Sequence, residues 1–326
     1  METNVDNRIQ EAHQVMEEVK KVIMGKDDCV MKVMAAILAG GNVLLEDVPG
    51  VGKTEMAMAF SKAMGLHSNR IQFTPDVMPS DITGFSMYEK ETGDFVYRPG
   101  VVMCNLLLAD EINRTSPKTQ SALLEVMEEG NVTVDGVTRQ VPRPFIVLAT
   151  QNPVGSFGTQ RLPEAQMDRF LICITMGYPN QEDEIRMLKS RHSQKPLEQI
   201  QPVITGEELL AMQEEAGNVF IHDVIYKYMV KLSGATREHG HTELGLSPRG
   251  TLALGKMARA YAWLKNRDYV IPEDVKEAFY DVGNHRIRLN QTARVNGRRT
   301  MDVLEEVLGQ VREPQPGRQE GGRKIR

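Results

Sequence analysis

Short segments of strand character alternate with helical stretches along the first half of the chain. The strand-like segments are 43–45, 70–73, 105–109, 145–150 and 170–176, most of them apolar runs of the length of buried strands. Between them, apolar residues recur every three or four positions, which is the period of a helix with one buried face. This alternation predicts an α/β fold, a parallel sheet of five strands flanked by helices, with equivalent strand ends at the same edge.

Two hairpins interrupt this alternation. In the first, 85–88 and 95–98 flank a polar turn that contains Gly93-Asp94. The second, 132–141, centres on Asp135-Gly136, and Asp-Gly between alternating segments is a strong signal for a tight hairpin turn. Both hairpins are predicted to be insertions into the α/β fold.

Strand signals almost vanish after Pro179. The remaining pattern predicts helices over 181–191, 207–216, 223–238, 248–264, 272–284 and 300–308. We therefore predict an α/β domain over residues 1–179 and an all-helical domain over 180–311. Residues 312–326 are rich in glycine, proline, glutamine and arginine, and are predicted to be a disordered tail.

The composition is that of an ordinary globular protein: of 326 residues, 41% are hydrophobic and 25% are charged. A net charge of −5 and a pI near 5.9 give no general attraction to nucleic acids or anionic membranes. The three cysteines lie far apart without metal-ligand spacing, which is typical of reduced thiols in a cytoplasmic protein. Because the chain has no signal-peptide pattern and no apolar run of membrane-spanning length, we expect a cytoplasmic location without membrane insertion.

A glycine-rich turn connects the first strand to the next helix. The sequence VLLEDVPGVGKT passes from a short apolar run to Lys53-Thr54 at a helix start, through the turn residues Pro49, Gly50, Val51 and Gly52. In this context the backbone amides of 50–54 and the positive helix end are predicted to bind the phosphates of ATP. Lys53 would reach the β- and γ-phosphates, and the Thr54 hydroxyl would hold Mg²⁺. The usual pattern has a glycine where this chain has Asp47, so an ordinary turn before a helix is an alternative on this stretch alone.

Polar residues also follow two other predicted strands. Asp110-Glu111 ends one apolar run and Asn152 follows another, so parallel strands would bring them to the edge that carries the glycine-rich turn. Asp110 is predicted to coordinate Mg²⁺ and Glu111 to polarise the attacking water. Asn152 would orient that water or contact the γ-phosphate. The alternatives are an exposed acid at a strand end for Glu111 and a turn residue before a proline for Asn152.

Several motifs together resemble the MoxR family of AAA+ ATPases. They are, in chain order, LLEDVPGVGKT, LLLADEINRTSPKTQSALLEVMEE, VLATQNP, LPEAQMDRF and LSPRG, and the resemblance covers the chain from about 23 to 289. The family often has Asp at the position of the first phosphate-loop glycine, which removes the objection raised by Asp47. The resemblance implies a hexameric ring with ATP and Mg²⁺ bound between subunits, a helical lid, and two hairpin insertions.

The resemblance also implies roles for individual residues. Lys53 and Thr54 match the Walker A motif, Asp110 and Glu111 match Walker B, and Asn152 matches sensor 1. Arg169 matches the arginine finger and is expected to act on the neighbouring subunit, whereas Arg249 matches sensor 2 and is expected to act on its own subunit. Where family members commonly have Tyr-Pro, this chain has Gln160-Arg161, which lies close to the expected interface. We interpret Arg161 as a surface residue, and the alternative is that it joins the site.

The family resemblance suggests a Mg²⁺-dependent ATPase that remodels or matures a client protein, often by metal or cofactor insertion, with a VWA-domain adaptor. One alternative is a DNA-dependent AAA+ motor; the acidic hairpin residues Glu89, Glu91, Asp94 and Asp135 argue against it, and Arg139 and Arg143 are the local evidence for it. Because of these acidic residues, we expect no nucleic-acid partner.

Another alternative is a nucleotide-gated scaffold that does not hydrolyse ATP, which the presence of Glu111 argues against.

Overall fold

The computed structural model describes residues 2–47, 50–152, 162–190 and 196–314. The helices are α1 (Glu2–Lys20), α2 (Asp27–Leu38), α3 (Lys53–Ala63), α4 (Pro79–Thr83), α5 (Pro117–Glu129), α6 (Glu164–Met167), α7 (Gln181–Ser190), α8 (Gly206–Gly217), α9 (Asp223–Glu238), α10 (Pro248–Leu264), α11 (Pro272–Gly283), α12 (Gln291–Val295) and α13 (Thr300–Gln310). The strands are β1 (Val43–Glu46), β2 (Ser68–Gln72), β3 (Gly84–Glu89), β4 (Asp94–Pro99), β5 (Leu106–Asp110), β6 (Asn131–Val134), β7 (Val137–Gln140), β8 (Ile146–Gln151), β9 (Ile172–Ile174), β10 (Thr242–Leu244) and β11 (Arg288–Leu289).

The central sheet has five parallel strands in the order β2-β5-β8-β1-β9. Every residue of β5 and β8 is buried, as expected for inner strands covered by helices on both faces. The prediction of a parallel five-stranded α/β fold is confirmed. The last strand, Ile172–Ile174, is shorter than the predicted 170–176. Just before it, the carbonyls of Phe170 and Leu171 accept hydrogen bonds from the side chain of Arg286.

Both predicted hairpins are confirmed. β3 pairs with β4 and β6 pairs with β7, each in antiparallel register. The guanidinium of Arg139 lies 4.0 Å from the ring centroid of Tyr97, so a cation–π contact joins the two hairpins. The Tyr97 hydroxyl donates to the Thr83 carbonyl at 2.6 Å, which fixes the first hairpin to α4.

The C-terminal part consists mostly of helices, α7 to α13, which form the lid. The prediction of a C-terminal helical lid is confirmed, and β10 and β11 add a small antiparallel pair to it. These strands have only three and two residues, so neither is long enough to show the alternation that identifies a strand. They also lie far apart in sequence.

The lid and the sheet domain share a core. One cluster of buried apolar side chains includes Val33 of α2 and Leu254 of α10. The division at residues 179/180 stays a prediction, and most of the predicted tail, 315–326, lies outside the described residues. Within the described ranges, no helix combines the length and the apolar character needed to cross a bilayer.

Candidate active site

The phosphate loop follows the carboxyl end of β1. Gly50 and Gly52 have φ angles of 89° and 96°, in the left-handed region where any other residue is strained. Helix α3 then starts at Lys53, and no side chain caps it at Gly52. The first backbone N–H groups of α3 are therefore available for an anion, as a phosphate site requires. Pro49, also predicted to belong to this loop, lies outside the described residues.

Asp47 connects the phosphate loop to neighbouring strands. Its Oδ2 atom accepts a 2.5 Å hydrogen bond from the backbone N–H of Gly177, which follows β9. Its own N–H donates to the carbonyl of Gln151, at the end of β8, at 3.3 Å. A glycine at position 47 would lose the contact between this carboxylate and Gly177. The departure from the usual motif thus has a structural role.

Lys53 is the buried cation of the site. Its residue exposure is only 8%, and its Nζ donates to the carbonyl of Asp47 at 2.6 Å. Burial lowers the pKa of Lys53, although the nearby carboxylates of Asp47 and Asp110 oppose this effect. A bound phosphate would supply the negative charge that favours the protonated amine. Thr54 follows in the same helical turn, half-buried.

Asp110 is the last residue of β5, and Glu111 follows it. Asp110 Oδ2 accepts from Nε of Arg70 at 2.8 Å, and its Oδ1 accepts from the Thr150 hydroxyl at 3.3 Å. Glu111 has a φ of 56°, a left-handed conformation that is uncommon for a residue with a side chain. Its backbone N–H donates to the same Thr150 hydroxyl at 2.9 Å, which helps to hold this turn.

The Glu111 carboxylate has a partner for each oxygen. Oε1 accepts from Nδ2 of Asn152 at 3.0 Å, and Oε2 accepts from Nη1 of Arg114 at 2.7 Å. Burial raises the pKa of Glu111, but the hydrogen bonds from Arg114 and Asn152 together outweigh it and hold the pKa below its ordinary value. Glu111 is therefore ionised near neutral pH, the state in which a general base accepts a proton.

Asn152 is fixed through its backbone. The side chain of Asn113 donates to the Asn152 carbonyl at 3.1 Å and accepts from its N–H at 3.4 Å. Asn113 lies in the short 3₁₀ helix Ile112–Arg114 that follows Glu111. The prediction that β5 and β8 would bring their terminal polar residues together is met by these contacts.

The residues present fit ATP with Mg²⁺. A hydroxyl from Thr54 and a carboxylate from Asp110 are the oxygen donors that Mg²⁺ prefers, and phosphate oxygens and water commonly complete its shell. No cluster of three or more His, Cys, Asp or Glu side chains able to hold a metal occurs in the described ranges.

A cavity of about 650 Å³ adjoins the phosphate loop. Besides loop residues 50–52, its lining includes Val22, Ile23, Met24, Tyr178, Met187 and Leu188. Apolar walls next to a phosphate site suit the base of a nucleotide. Because Met187 and Leu188 belong to α7, the lid contributes to this cavity.

Comparisons with known proteins identify the two domains and the family of the chain. The profile of the ATPase family associated with various cellular activities (AAA) matches residues 42–172, and the AAA lid domain profile matches 234–307. The chain is 50% identical to YeaC of Bacillus subtilis, over 92% of this chain and 93% of that protein. It is 43% identical to the chaperone MoxR1 of Mycobacterium tuberculosis, over 91% of this chain and 81% of the relative. The chain belongs to the MoxR family of AAA+ ATPases.

A solved structure supports the same assignment. This MoxR-family chain is similar to a Cytophaga hutchinsonii protein assigned as an ATPase, with a TM-score of 0.89 and 38% sequence identity. The match covers 96% of this chain and 98% of that structure. The MoxR-family chain is thus a nucleotide-binding ATPase with an AAA domain and a C-terminal lid.

The two predicted arginines of this MoxR-family ATPase lie together at the opposite edge of the sheet. Arg169 precedes β9, and Arg249 lies in the first turn of α10. Both line a cavity of about 300 Å³ with residues 40–42, which precede β1. Nε of Arg169 is 3.2 Å from Oε2 of Glu128, and Arg249 pairs with the other oxygen of that carboxylate.

That Arg249 acts on the nucleotide of its own subunit stays a prediction, and the position of Arg249 in this chain does not favour it. The phosphate loop follows the carboxyl end of β1, whereas Arg249 lies beside the amino end of the same strand. Glu128, in the last turn of α5, holds Arg249 next to Arg169. The role of Arg169 as an arginine finger stays a prediction.

Sequence reasoning missed several partners of the MoxR-family site. Arg114 follows Glu111 at a spacing of three residues, which is a visible signal for a local ion pair. Arg70 and Thr150 lie on β2 and β8, the two strands that flank β5, and their contacts with Asp110 depend on strand order and register. Arg161 lies outside the described residues, so its interpretation as a surface residue stays a prediction.

Proposed function

We propose that this MoxR-family chain assembles into a hexameric ring and hydrolyses ATP with Mg²⁺ at sites that lie between the subunits. The observation that carries this proposal is the separation of two half-sites. The described chain places Lys53, Asp110, Glu111 and Asn152 at the carboxyl edge of the sheet and Arg169 and Arg249 at the amino edge. A chain that presents complementary halves on opposite edges is suited to a closed assembly in which each subunit completes its neighbour's site.

Each residue at the carboxyl edge has a distinct task. The amides of the phosphate loop and Lys53 bind the phosphates, while Thr54 and Asp110 hold Mg²⁺, which neutralises phosphate charge when bound. Glu111 accepts a proton from the attacking water. Asn152 keeps Glu111 oriented toward that water.

The amino edge supplies positive charge. Hydrolysis builds negative charge on the phosphate oxygens, and an arginine delivered in trans stabilises it by roughly 10³–10⁵ in rate. Within one chain, Arg169 and Arg249 both pair with the single carboxylate of Glu128, which balances one of their two positive charges. In the ring, the γ-phosphate of the neighbouring subunit would replace Glu128 as their partner. We therefore assign both arginines to the neighbour's nucleotide.

The energy of hydrolysis is used to remodel or mature a client protein, with a VWA-domain adaptor. The name of the relative MoxR1, a chaperone, supports the role in remodelling a client protein. The first hairpin exposes large apolar side chains, Phe85, Met87, Tyr88 and Phe95, with Phe95 74% exposed. Exposed apolar groups suit a protein contact better than a phosphate backbone. Arg139, part of the evidence for a DNA motor, packs on Tyr97.

Dilution tests this proposal. We would measure the ATPase rate per chain over a range of protein concentrations and the molar mass by light scattering in the same samples. Activity per chain should rise together with the assembled fraction, since one chain alone holds only half of each site. It should disappear with EDTA and return with added Mg²⁺. A monomer with constant activity per chain at all concentrations would contradict the composite site.

A further inference from the structure

A buried arginine of the lid holds the chain segment that carries Arg169. Arg286 is 7% exposed, and its guanidinium makes five hydrogen bonds. Nε donates to Oδ1 of Asp168 at 2.7 Å, and the other nitrogens donate to the carbonyls of Asp168 (3.1 Å), Phe170 (2.5 Å), Leu171 (2.9 Å) and Val282 (2.8 Å). Four of these contacts lie on residues 168–171, so the backbone on both sides of Arg169 is fixed to the lid.

The second oxygen of Asp168 holds the helix that carries Arg249. The Ser247 hydroxyl donates to Oδ2 of Asp168 at 2.8 Å. The same hydroxyl accepts from the N–H of Gly250 at 3.0 Å and so caps the amino end of α10. Arg249 lies between these two residues, and its backbone position follows from the cap.

Asp168 thus connects the segment of Arg169 to the helix of Arg249. One carboxylate oxygen contacts Arg286, which fixes the segment of Arg169, and the other contacts Ser247, which fixes the turn of Arg249. Both arginines lie in the cavity that Asp168 and Arg286 also line. Asp168 and Arg286 make these hydrogen bonds to residues of their own chain. Asp168 and Arg286 therefore act on the nucleotide of a neighbouring subunit through Arg169 and Arg249.

We infer that Asp168, together with Ser247 and Arg286, is a positioning residue that holds Arg169 and Arg249 as one pair for the nucleotide of the neighbouring subunit. This inference rests on the proposed composite site. Catalytic groups lose rate steeply when they move by about 1 Å, on the order of 10². The carboxylate of Asp168 therefore sets the geometry of the pair without touching the phosphate.

Asp168→Asn is the first test, because it keeps the shape of the side chain and removes its charge. We expect kcat for ATP to fall by on the order of 10²-fold. KM and the affinity for a fluorescent ATP analogue should change little, because Lys53 and the phosphate loop lie at the other edge. A structural defect alone would instead lower the active fraction and the thermal midpoint together.

Ser247→Asp is the second variant, for the case that Asp168→Asn leaves Arg286 without its counter-charge and fails to fold. Asp also caps helices, so α10 keeps its amino-terminal acceptor, but it cannot donate to Asp168 and adds a like charge beside it. Its kcat should fall in the same way. Thr205→Ala is the matched control, since Thr205 caps α8 in the lid and its described contacts do not include Asp168. Its kcat should stay at the parent value.

Mixing experiments separate positioning from general damage. Asp168→Asn and Lys53→Ala impair opposite edges, so their mixture should regain activity, whereas Asp168→Asn with Arg169→Ala should stay inactive. Parental kcat in folded Asp168→Asn would overturn the inference. The inference would also be overturned if Asp168→Asn mixed with Lys53→Ala stayed inactive while Arg169→Ala mixed with Lys53→Ala regained activity. If Asp168→Asn does not fold, Ser247→Asp replaces it in all of these mixtures. Failure of the Arg169→Ala mixture itself overturns the composite site, and this inference with it.

Discussion

Nδ2 of Asn152 donates a 3.0 Å hydrogen bond to Oε1 of Glu111 and so joins the ends of β8 and β5. The two strands are adjacent in the sheet and parallel, which brings their carboxyl ends together. The contact fixes one oxygen of Glu111. The orientation of the proposed base thus follows from strand pairing as well as from its own left-handed turn.

Replacing Glu111 by Gln removes the negative charge that accepts a proton and keeps the size of the side chain. Turnover should fall by roughly 10²–10⁴, while ATP binding persists because Lys53 and the phosphate loop are unchanged. Steady-state phosphate release and a fluorescent-nucleotide titration measure the two effects. Glu125→Gln, an exposed position of α5, is the control and should behave as the parent. Hydrolysis at the parent rate by Glu111→Gln would mean that another group is the base.

The pKa of Glu111 gives a pH prediction. Burial raises this pKa, but the hydrogen bonds from Arg114 and Asn152 together lower it by more, so it lies below the ordinary 4.5. Glu111 acts as a base only when ionised, and the loss of activity caused by its protonation therefore falls below about pH 4.5. Arg114→Ala removes a lowering contact and should shift the acid limb of kcat to higher pH. Identical acid limbs in the parent and Arg114→Ala would show that Arg114 does not tune this group.

Lys53→Ala should weaken nucleotide binding. The lysine supplies a buried positive charge, and losing a charged hydrogen bond to phosphate costs roughly 10–100-fold in affinity. Equilibrium titration with a fluorescent ATP analogue measures this directly. Lys62→Ala, farther along α3 with its Nζ on the Leu197 carbonyl, is the matched control and should retain affinity. Equal affinities in the two variants would remove Lys53 from the phosphate site.

DNA should neither bind tightly nor raise turnover. The chain carries a net charge of −5, the turn of the first hairpin contains acidic residues, and Arg139 is packed on Tyr97. Fluorescence anisotropy with single- and double-stranded DNA at physiological salt tests binding, and ATPase assays with and without DNA test stimulation. A several-fold stimulation that falls steeply with salt would favour the motor interpretation.

The sequence alone was sufficient for features that are local. Each of these features lies within a short stretch of sequence whose pattern predicts its structure. They are the phosphate loop, the two acidic residues at the end of β5, and both hairpins. The helix predicted over 248–264 likewise has the bounds of α10, Pro248–Leu264.

Features that depend on distant pairing were not accessible. Asp47 contacts a residue 130 positions away, and Arg249 meets Glu128 at a separation of 121. The resemblance identifies the motif of Arg249, but the packing of the lid decides which edge of the sheet Arg249 lies beside, and no local pattern shows that packing. The pair of β10 and β11 was missed because so few residues carry no periodic signal.

Subunit mixing tests the central claim, that each site is built by two chains, most directly. Lys53→Ala removes the phosphate-binding half and Arg169→Ala removes the arginine half, so each variant alone should be nearly inactive. A mixed ring contains interfaces that combine an intact Lys53 with an intact Arg169, and ATPase activity should reappear on mixing and rise with total protein concentration. If the mixture stays as inactive as its components, with subunit exchange verified by light scattering and labelled chains, Arg169 does not act in trans and the composite site is wrong.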